Sequence, residues 1–125
     1  MRVPILRQGS YLVASIQAAV SDSDMLQLQD ELPKTVKKTR ATGVIVDVTA
    51  LDVMDSFSSR SLRAMAHMAR LCGAETVIVG IQPEIAFAMV QLGMTLEGIA
   101  TALDLDEGLA FLDRRTGGEF ANGRG

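Results

Sequence analysis

Apolar residues recur along the chain in short blocks whose spacing alternates between that of strands and that of helices. Residues 3–7 and 11–16 are short, apolar and partly β-branched, and a polar turn containing glycine separates them. This arrangement predicts a β-hairpin. Residues 43–48 and 75–80 are nearly continuous apolar runs, which is typical of strands buried on both faces. Residues 99–102 predict a short, weak strand.

The first predicted helix follows the hairpin. Asp24, with Gln27 three residues later, is typical of a capping box and predicts the start of the helix. Pro33 lies within the same helical pattern and predicts a kink or an early end, because proline has no N–H group to donate. The apolar face of this helix has spacings of three and four residues and consists of Met25, Leu28, Leu32 and Val36.

Three more helices are predicted downstream. The second covers residues 56–72, the third begins at Pro83 and ends at Gly93, and Asp104 caps the fourth. Strands that alternate with helices in this order predict an α/β fold, with a mostly parallel or mixed central sheet of about four or five strands flanked by four helices. We expect a single domain over residues 3–115 and a flexible, glycine-rich tail over residues 116–125.

Composition narrows the possible functions. The chain has 125 residues, of which 48% are hydrophobic and 22% are charged, as expected for one globular domain. Its net charge of -3 argues against a general nucleic-acid binder, and its one cysteine and one histidine argue against disulfides and against a His/Cys zinc site. The sequence has no membrane-spanning run and no signal-type start, and we therefore expect a cytoplasmic protein. We also expect neither a metal nor a cofactor.

The segment after the third predicted strand carries the candidate chemistry. Three aspartates, Asp47, Asp52 and Asp55, precede three serines at the start of the second helix. The N–H groups at a helix start lack intrahelical partners, and the helix dipole favours an anion there. A serine in this place is most often an N-cap, but it can also accept a phosphate. The added charge would repel a docked partner, which suggests a binary binding switch.

Enzymatic interpretations have little support in the sequence. No nucleophile elbow, Walker loop, dinucleotide fingerprint or zinc-protease motif is present. The only histidine, His67, is part of a basic stripe on the second helix that is either a solvated face or a docking face; its residues are Arg60, Arg63, His67 and Arg70. A phosphoaspartate receiver is rejected, because the first strand ends in Arg7-Gln8 and not in an acidic pair.

The aspartate- and serine-rich segment resembles a known family. Asp47-Val48-Thr49 followed by Val53-Met54-Asp55-Ser56 is similar to the STAS domain, the fold of bacterial anti-sigma factor antagonists. The resemblance is closer to one branch, the small stand-alone scaffold subunit of the stressosome, and covers about residues 3–114. Further similar segments include Gly43-Val44-Ile45-Val46-Asp47 and Gly80-Ile81-Gln82-Pro83.

The resemblance assigns roles to the residues around the start of the second helix. It implies that Ser56 accepts the phosphate, with Ser58 and Ser59 as alternatives. The kinase-docking loop that it implies consists of Asp52, Asp55, Phe57 and Arg60. Sporulation-type antagonists have Asp-Ser-Ser-Gly-Leu-Gly at this loop, whereas this chain has no glycine there and carries Phe57 and Arg60. This departure favours the stressosome branch.

The resemblance also implies a mechanism without catalysis. The protein would form dimers, co-assemble with larger STAS-containing sensor paralogues and sequester a serine/threonine switch kinase. Phosphorylation by that kinase would release it, and a cognate phosphatase would reset the switch. One alternative is a free anti-sigma factor antagonist that binds an anti-sigma kinase directly. Another is a small-molecule or nucleotide-binding domain that uses Asp47, Asp52 and Asp55.

Overall fold

The computed structural model describes residues 3–117, which form five strands and four helices. In chain order they are β1 (Ile5–Gln8), β2 (Tyr11–Ser15), α1 (Asp22–Thr39), β3 (Gly43–Asp47), α2 (Ser56–Leu71), β4 (Glu75–Val79), α3 (Pro83–Leu92), β5 (Ala100–Ala102) and α4 (Leu105–Thr116). The predicted order of strands and helices is confirmed, and so is the α/β class. Within this part of the chain, no helix has the length and apolar character that crossing a membrane requires.

The five strands form one mixed sheet in the order β1-β2-β3-β4-β5. β1 is antiparallel to β2, as the predicted hairpin requires, and the other neighbouring pairs are parallel. Ser15, Asp47, Val79 and Ala102 lie in one row across the sheet. The carboxyl ends of β2 to β5 therefore meet at one edge of the sheet, called the carboxyl edge below.

The two faces of the sheet are covered unequally. Successive strand side chains point to opposite faces, so a buried strand needs apolar residues at nearly every position. One face packs against α1, α2 and α3 and includes Leu12, Ala14, Val44, Val46 and Ile78. The other face packs against α4 and includes Tyr11, Val13, Ile45, Val77 and Val79. The continuous apolar pattern of β3 and β4 follows from burial on both sides.

Helix α1 begins earlier than predicted and is not shortened by its proline. Its N-cap is Ser21, whose hydroxyl accepts the N–H of Asp24 at 3.1 Å while the Asp24 carboxylate accepts the N–H of Ser21 at 3.0 Å. The predicted cap, Asp24 paired with Gln27, was therefore wrong, because Asp24 is the third helical residue. α1 continues through Pro33 to Thr39, held by a buried stripe that packs into the core.

The remaining helix ends agree well with the sequence. α3 has Pro83 in its first turn, and Gly93 ends it in the left-handed conformation. Asp104 caps α4 as predicted. α4 extends to Thr116, one residue into the segment predicted to be a tail. Residues 118–125 of that predicted tail lie outside the described residues.

Candidate functional site

The loop after β3 begins with a tight turn at the carboxyl edge. The Asp47 carboxylate accepts both the backbone N–H of Thr49, at 2.9 Å, and the Thr49 hydroxyl, at 2.6 Å. A short side chain that binds the backbone two residues ahead is typical of Asx turns. Asp47 therefore has a structural role in shaping the loop, which is the commoner role for an aspartate at the end of a strand.

A second contact ties this loop to the loop after β4. The side-chain amide of Gln82 donates to the carbonyl of Thr49 at 2.6 Å. Gly80 lies beside the same residue with φ +82, and a Cβ atom there would overlap the Thr49 hydroxyl. Only glycine combines the left-handed conformation with this close approach. The two loops are therefore held against each other, and the position of the loop after β3 is well defined.

The middle of the loop presents an acidic and apolar surface. Met54 is buried, with 4% of its surface exposed, and anchors the loop in the core. The two residues before it point outward: Val53 is 71% exposed, and Asp52 is exposed as well. The middle of the loop therefore exposes one apolar and one acidic side chain to solvent.

Helix α2 is capped by an aspartate and not by a serine. The Asp55 carboxylate accepts the backbone N–H of Ser58 at 2.8 Å. This bond, followed by a bond from the Ser58 hydroxyl and by the more distant charge of Arg60, lowers the pKa of Asp55 from its usual value. Asp55 is therefore ionised at neutral pH and stabilises the helix start.

The three candidate serines occupy very different environments. Ser56 is the first residue of α2 and is exposed. Ser58 is half-buried, and its backbone N–H is already bound to Asp55. Ser59 is buried, with only 2% of its surface exposed. Of the three hydroxyl groups, that of Ser56 is therefore the most accessible to a modifying enzyme.

The burial of Ser59 follows from a spacing that is visible in the sequence. It precedes the buried residues Leu62 and Met65 at intervals of three, so all three residues lie on the core-facing side of α2. The burial of Ser59 was not predicted, because serine carries no hydrophobic signal of its own.

The residues predicted for kinase docking do not all reach the surface to the same extent. Asp52, Asp55 and Arg60 are exposed, and so is Ser56. Phe57 is half-buried and packs against the main core cluster, so only part of its ring is available to a partner. Three of the four predicted docking residues and the first-choice phosphoacceptor are therefore exposed to solvent.

A connection that the sequence analysis missed joins Ser56 to the basic stripe. Residues 56, 60, 63, 67 and 70 follow one another at spacings of 4, 3, 4 and 3, which places them along one face of α2. The serine therefore stands at the N-terminal end of the basic stripe, defined here as Arg60, Arg63, His67 and Arg70. The periodicity that would have revealed this alignment is present in the sequence.

Charges along the basic stripe are paired unevenly. Arg70 donates to the Glu75 carboxylate at 3.1 Å. Among residues 3–117, neither Arg60 nor Arg63 has a carboxylate within 4.0 Å. In the same range, no group of three or more His, Cys, Asp or Glu side chains is placed to hold a metal ion. The unpaired positive charge is therefore concentrated near Ser56.

Comparison with known proteins places this fold in a defined group. The family model described as STAS domain matches residues 3–108. The structure of Moorella thermoacetica RsbS S58E (numbered as in that protein) is 35% identical, with a TM-score of 0.79, over 92% of this chain and 97% of that one. A chain in a solved structure described as the molecular architecture of the stressosome is also 35% identical, with a TM-score of 0.77, over 90% of this chain and 97% of that one.

Curated relatives in Bacillus subtilis are longer than this chain. The RsbT co-antagonist protein RsbRA is 31% identical over 83 residues, which cover 66% of this chain and 30% of RsbRA. RsbRC is 32% identical over 85 residues, which cover 68% of this chain and 30% of RsbRC. The chain thus matches less than a third of these relatives.

SpoIIAA in its unphosphorylated form shares the fold, with a TM-score of 0.65 at 14% identity over 92% of this chain and 98% of that one.

Proposed function

The chain belongs to the STAS-domain family, and we propose that it is a non-enzymatic scaffold and phosphorylation switch of a bacterial stressosome. The observation that carries the proposal is the exposed Ser56 at the start of α2, in a chain 35% identical to RsbS over 92% of its length. In this role it would act in the cytoplasm, associate with further copies of itself and co-assemble with STAS-containing sensor paralogues related to the RsbR proteins.

The start of α2 is suited to carry a phosphate without unfolding. The first N–H groups of a helix have no intrahelical acceptors, and the helix dipole is positive at this end. Ser56 itself is not the cap, so its hydroxyl can be modified while Asp55 continues to bind the N–H of Ser58. Arg60, four residues later on the same face, adds a positive charge that a phosphate on Ser56 can contact.

The same phosphate would change which partner remains bound. A phosphoserine carries about -1.5 to -2 charge at pH 7, and here it would directly follow the carboxylate of Asp55 in the chain. A kinase docked over this surface would have to accommodate and desolvate that charge. A tenfold loss of affinity needs only about 1.4 kcal/mol, which a charge mismatch at a partly desolvated interface can supply. The released kinase would act elsewhere, and a phosphatase would restore the first state.

Burial ranks the alternative phosphoacceptors below Ser56. Ser58 is half-buried, and phosphate on it would crowd the carboxylate of Asp55, which binds the same residue. Ser59 could reach a kinase active site only after α2 opens locally, because 2% of its surface is exposed. SpoIIAA, which has this fold, has been solved in a phosphorylated form.

Phosphate mapping tests the proposed acceptor. The protein is incubated with the switch kinase of the same organism and ATP, and the modified residue is located by fragmentation mass spectrometry. Fragmentation is required because trypsin leaves all three serines in one peptide, residues 41–60. We expect phosphate on Ser56, its loss in Ser56→Ala, and normal modification in the control Ser23→Ala. Phosphate on Ser58 or Ser59 alone would reject Ser56 as the acceptor.

Particle size distinguishes the scaffold from a free antagonist, the alternative that shares the fold and the serine. Mixed with its sensor paralogue, the scaffold should elute near megadalton mass, whereas a free antagonist should elute as a small oligomer. Ser56→Asp should assemble like the unmodified protein and bind the kinase at least tenfold more weakly. Failure to form a large particle under conditions where the paralogue is folded would favour the free antagonist.

A further inference from the structure

The basic stripe has the features of a docking surface, and we infer that it binds an acidic patch on the switch kinase. We infer further that phosphate on Ser56 releases this partner by engaging Arg60. The inference deepens the proposed function and rests on it, because it names the chemistry of the partner surface and the means of release. It depends on the alignment of Ser56 with the stripe, on the pairing of its charges and on the sign of the added charge.

The stripe is long enough for a protein contact and is presented on a regular element. At a rise of about 1.5 Å per residue, the ten residue steps from Arg60 to Arg70 extend about 15 Å along α2. Arg60, His67 and Arg70 are exposed, and Arg63 is half-buried. The core-facing side of the helix, by contrast, is filled by buried residues such as Leu62. The stripe is therefore an outward-facing side of the helix.

The free charge of the stripe lies at the end next to Ser56. Arg70 is bound to Glu75 and also approaches the carbonyl of Gly98 at 3.4 Å, so its charge is largely satisfied within the domain. Arg60 and Arg63 have no ion-pair partner among residues 3–117. An acidic partner would therefore gain most from the half of the stripe that a phosphate on Ser56 would also reach.

A small cavity beside the stripe could receive one side chain of the partner. It has a volume of about 50 Å³ and lies between α2 and the loop before β5. Its lining consists of Arg63, Ala66, His67, Arg70, Glu97, Gly98 and Ile99. Arg63 has no ion-pair partner among residues 3–117 and can bind a carboxylate of the partner there, whereas Arg70 is already bound to Glu75.

The direction of the switch selects an acidic partner. A phosphate on Ser56 lies four residues before Arg60, the order in which an acid and a base attract each other best on a helix. It would bind the Arg60 guanidinium and leave excess negative charge at the head of the stripe. An acidic partner would then be repelled, whereas a basic partner would be held more strongly. Release on phosphorylation therefore favours an acidic partner surface over a basic one.

Charge reversal tests the docking surface. The double variant Arg60→Glu/Arg63→Glu should bind the kinase at least tenfold more weakly in 50 mM salt, and its affinity should depend less on salt than that of the unmodified protein. The matched control is Lys37→Glu/Lys38→Glu on α1, where both side chains are also exposed. This control carries the same change in net charge and should bind within twofold of the unmodified protein. Circular dichroism is used to check that both variants are folded.

A second measurement tests the role of Arg60 in release. Ser56→Asp should weaken kinase binding at least tenfold when both arginines are present. In the Arg60→Gln/Arg63→Gln variant it should weaken binding at most threefold, because the arginines that the new charge neutralises are absent. Equal losses in the two backgrounds would overturn the release mechanism.

The two experiments separate this inference from the proposed function. If Arg60→Glu/Arg63→Glu binds like the unmodified protein while Ser56 is still phosphorylated and still controls kinase release, the inference fails and the proposed function stands. If the reversed lysine control loses as much affinity as the arginine variant, net charge alone explains binding and the inference also fails. If the unmodified protein neither binds the kinase nor acquires phosphate, both are wrong.

Discussion

The starts of α1 and α2 are built from the same two residue types, serine and aspartate, but they leave different groups free. At α1, Ser21 and Asp24 satisfy each other's backbone N–H groups, and Asp24 is buried at 9% exposure. At α2, the aspartate takes over the capping role, and the serine that follows it stays exposed. Asp55 binds the N–H of Ser58 at 2.8 Å, while Ser56 is free to face solvent.

The difference is the reason why we propose the start of α2, and not that of α1, as a site of modification. Where the serine itself is the cap, as at α1, phosphorylation would turn the oxygen that accepts the N–H of Asp24 into an ester oxygen, which is a weaker acceptor, and would so disturb the cap. Where a neighbouring aspartate caps the helix, as at α2, the serine hydroxyl has no such role, and its modification leaves the cap intact. The residue that caps the helix, and not the presence of serine, distinguishes the structural start from the candidate switch.

The largest expected effect is a difference in the free energy of unfolding when the same substitution is made at two serines of α2. Ser59→Asp should lower the free energy of unfolding by about 3 kcal/mol or more, because it places a carboxylate where 2% of the surface is exposed. Ser56→Asp should change it by no more than about 0.5 kcal/mol, because the residue is exposed at the positive end of the helix. Urea denaturation at pH 7 measures both, and similar losses would contradict the assignment of Ser59 to the core.

An intermediate effect separates the two caps. Ser21→Ala should cost about 1–2 kcal/mol of unfolding free energy, because it breaks a reciprocal box and leaves the N–H of Asp24 without its acceptor. Asp55→Ala should cost about 1 kcal/mol, because one side-chain bond is lost. Asp55→Asn is the control and should cost only a few tenths of a kcal/mol, since asparagine caps nearly as well. A loss at Asp55→Asn equal to that at Asp55→Ala would argue against the cap.

The smallest effect is a dependence of stability on pH. The N–H and hydroxyl of Ser58 lower the pKa of Asp55 in the folded protein. A lowered folded pKa means that this contribution is fully present above the unfolded pKa of about 4 and is lost as pH falls through the folded pKa. The stability advantage of the unmodified protein over Asp55→Asn should therefore shrink between pH 5 and pH 3 (about one unit either side of that unfolded pKa). A constant difference across this range, measured by urea denaturation, would show that ionised Asp55 contributes nothing.

Local patterns determined much of this protein. The order of strands and helices could be predicted because burial on both faces requires continuous apolar strands, and an amphipathic helix requires spacings of three and four. The start of α2 at Ser56 could be predicted because aspartate and serine are residue types that commonly occur at helix starts. Proline and glycine marked the ends of α3, because each restricts or permits backbone conformations that few other residues share.

Only the tertiary structure decided which polar residues are free. Ser56 and Ser59 are three residues apart and chemically identical, and their exposure differs because α2 turns one toward the core. The continuation of α1 through Pro33 depends on packing of its buried stripe, which outweighs a local preference. Tyr11 donates to Asp113 at 2.6 Å across 102 residues, a contact without any local signal. The continuation of α1 and the Tyr11–Asp113 bond depend on residues brought together by folding, and spacing along the chain does not encode them.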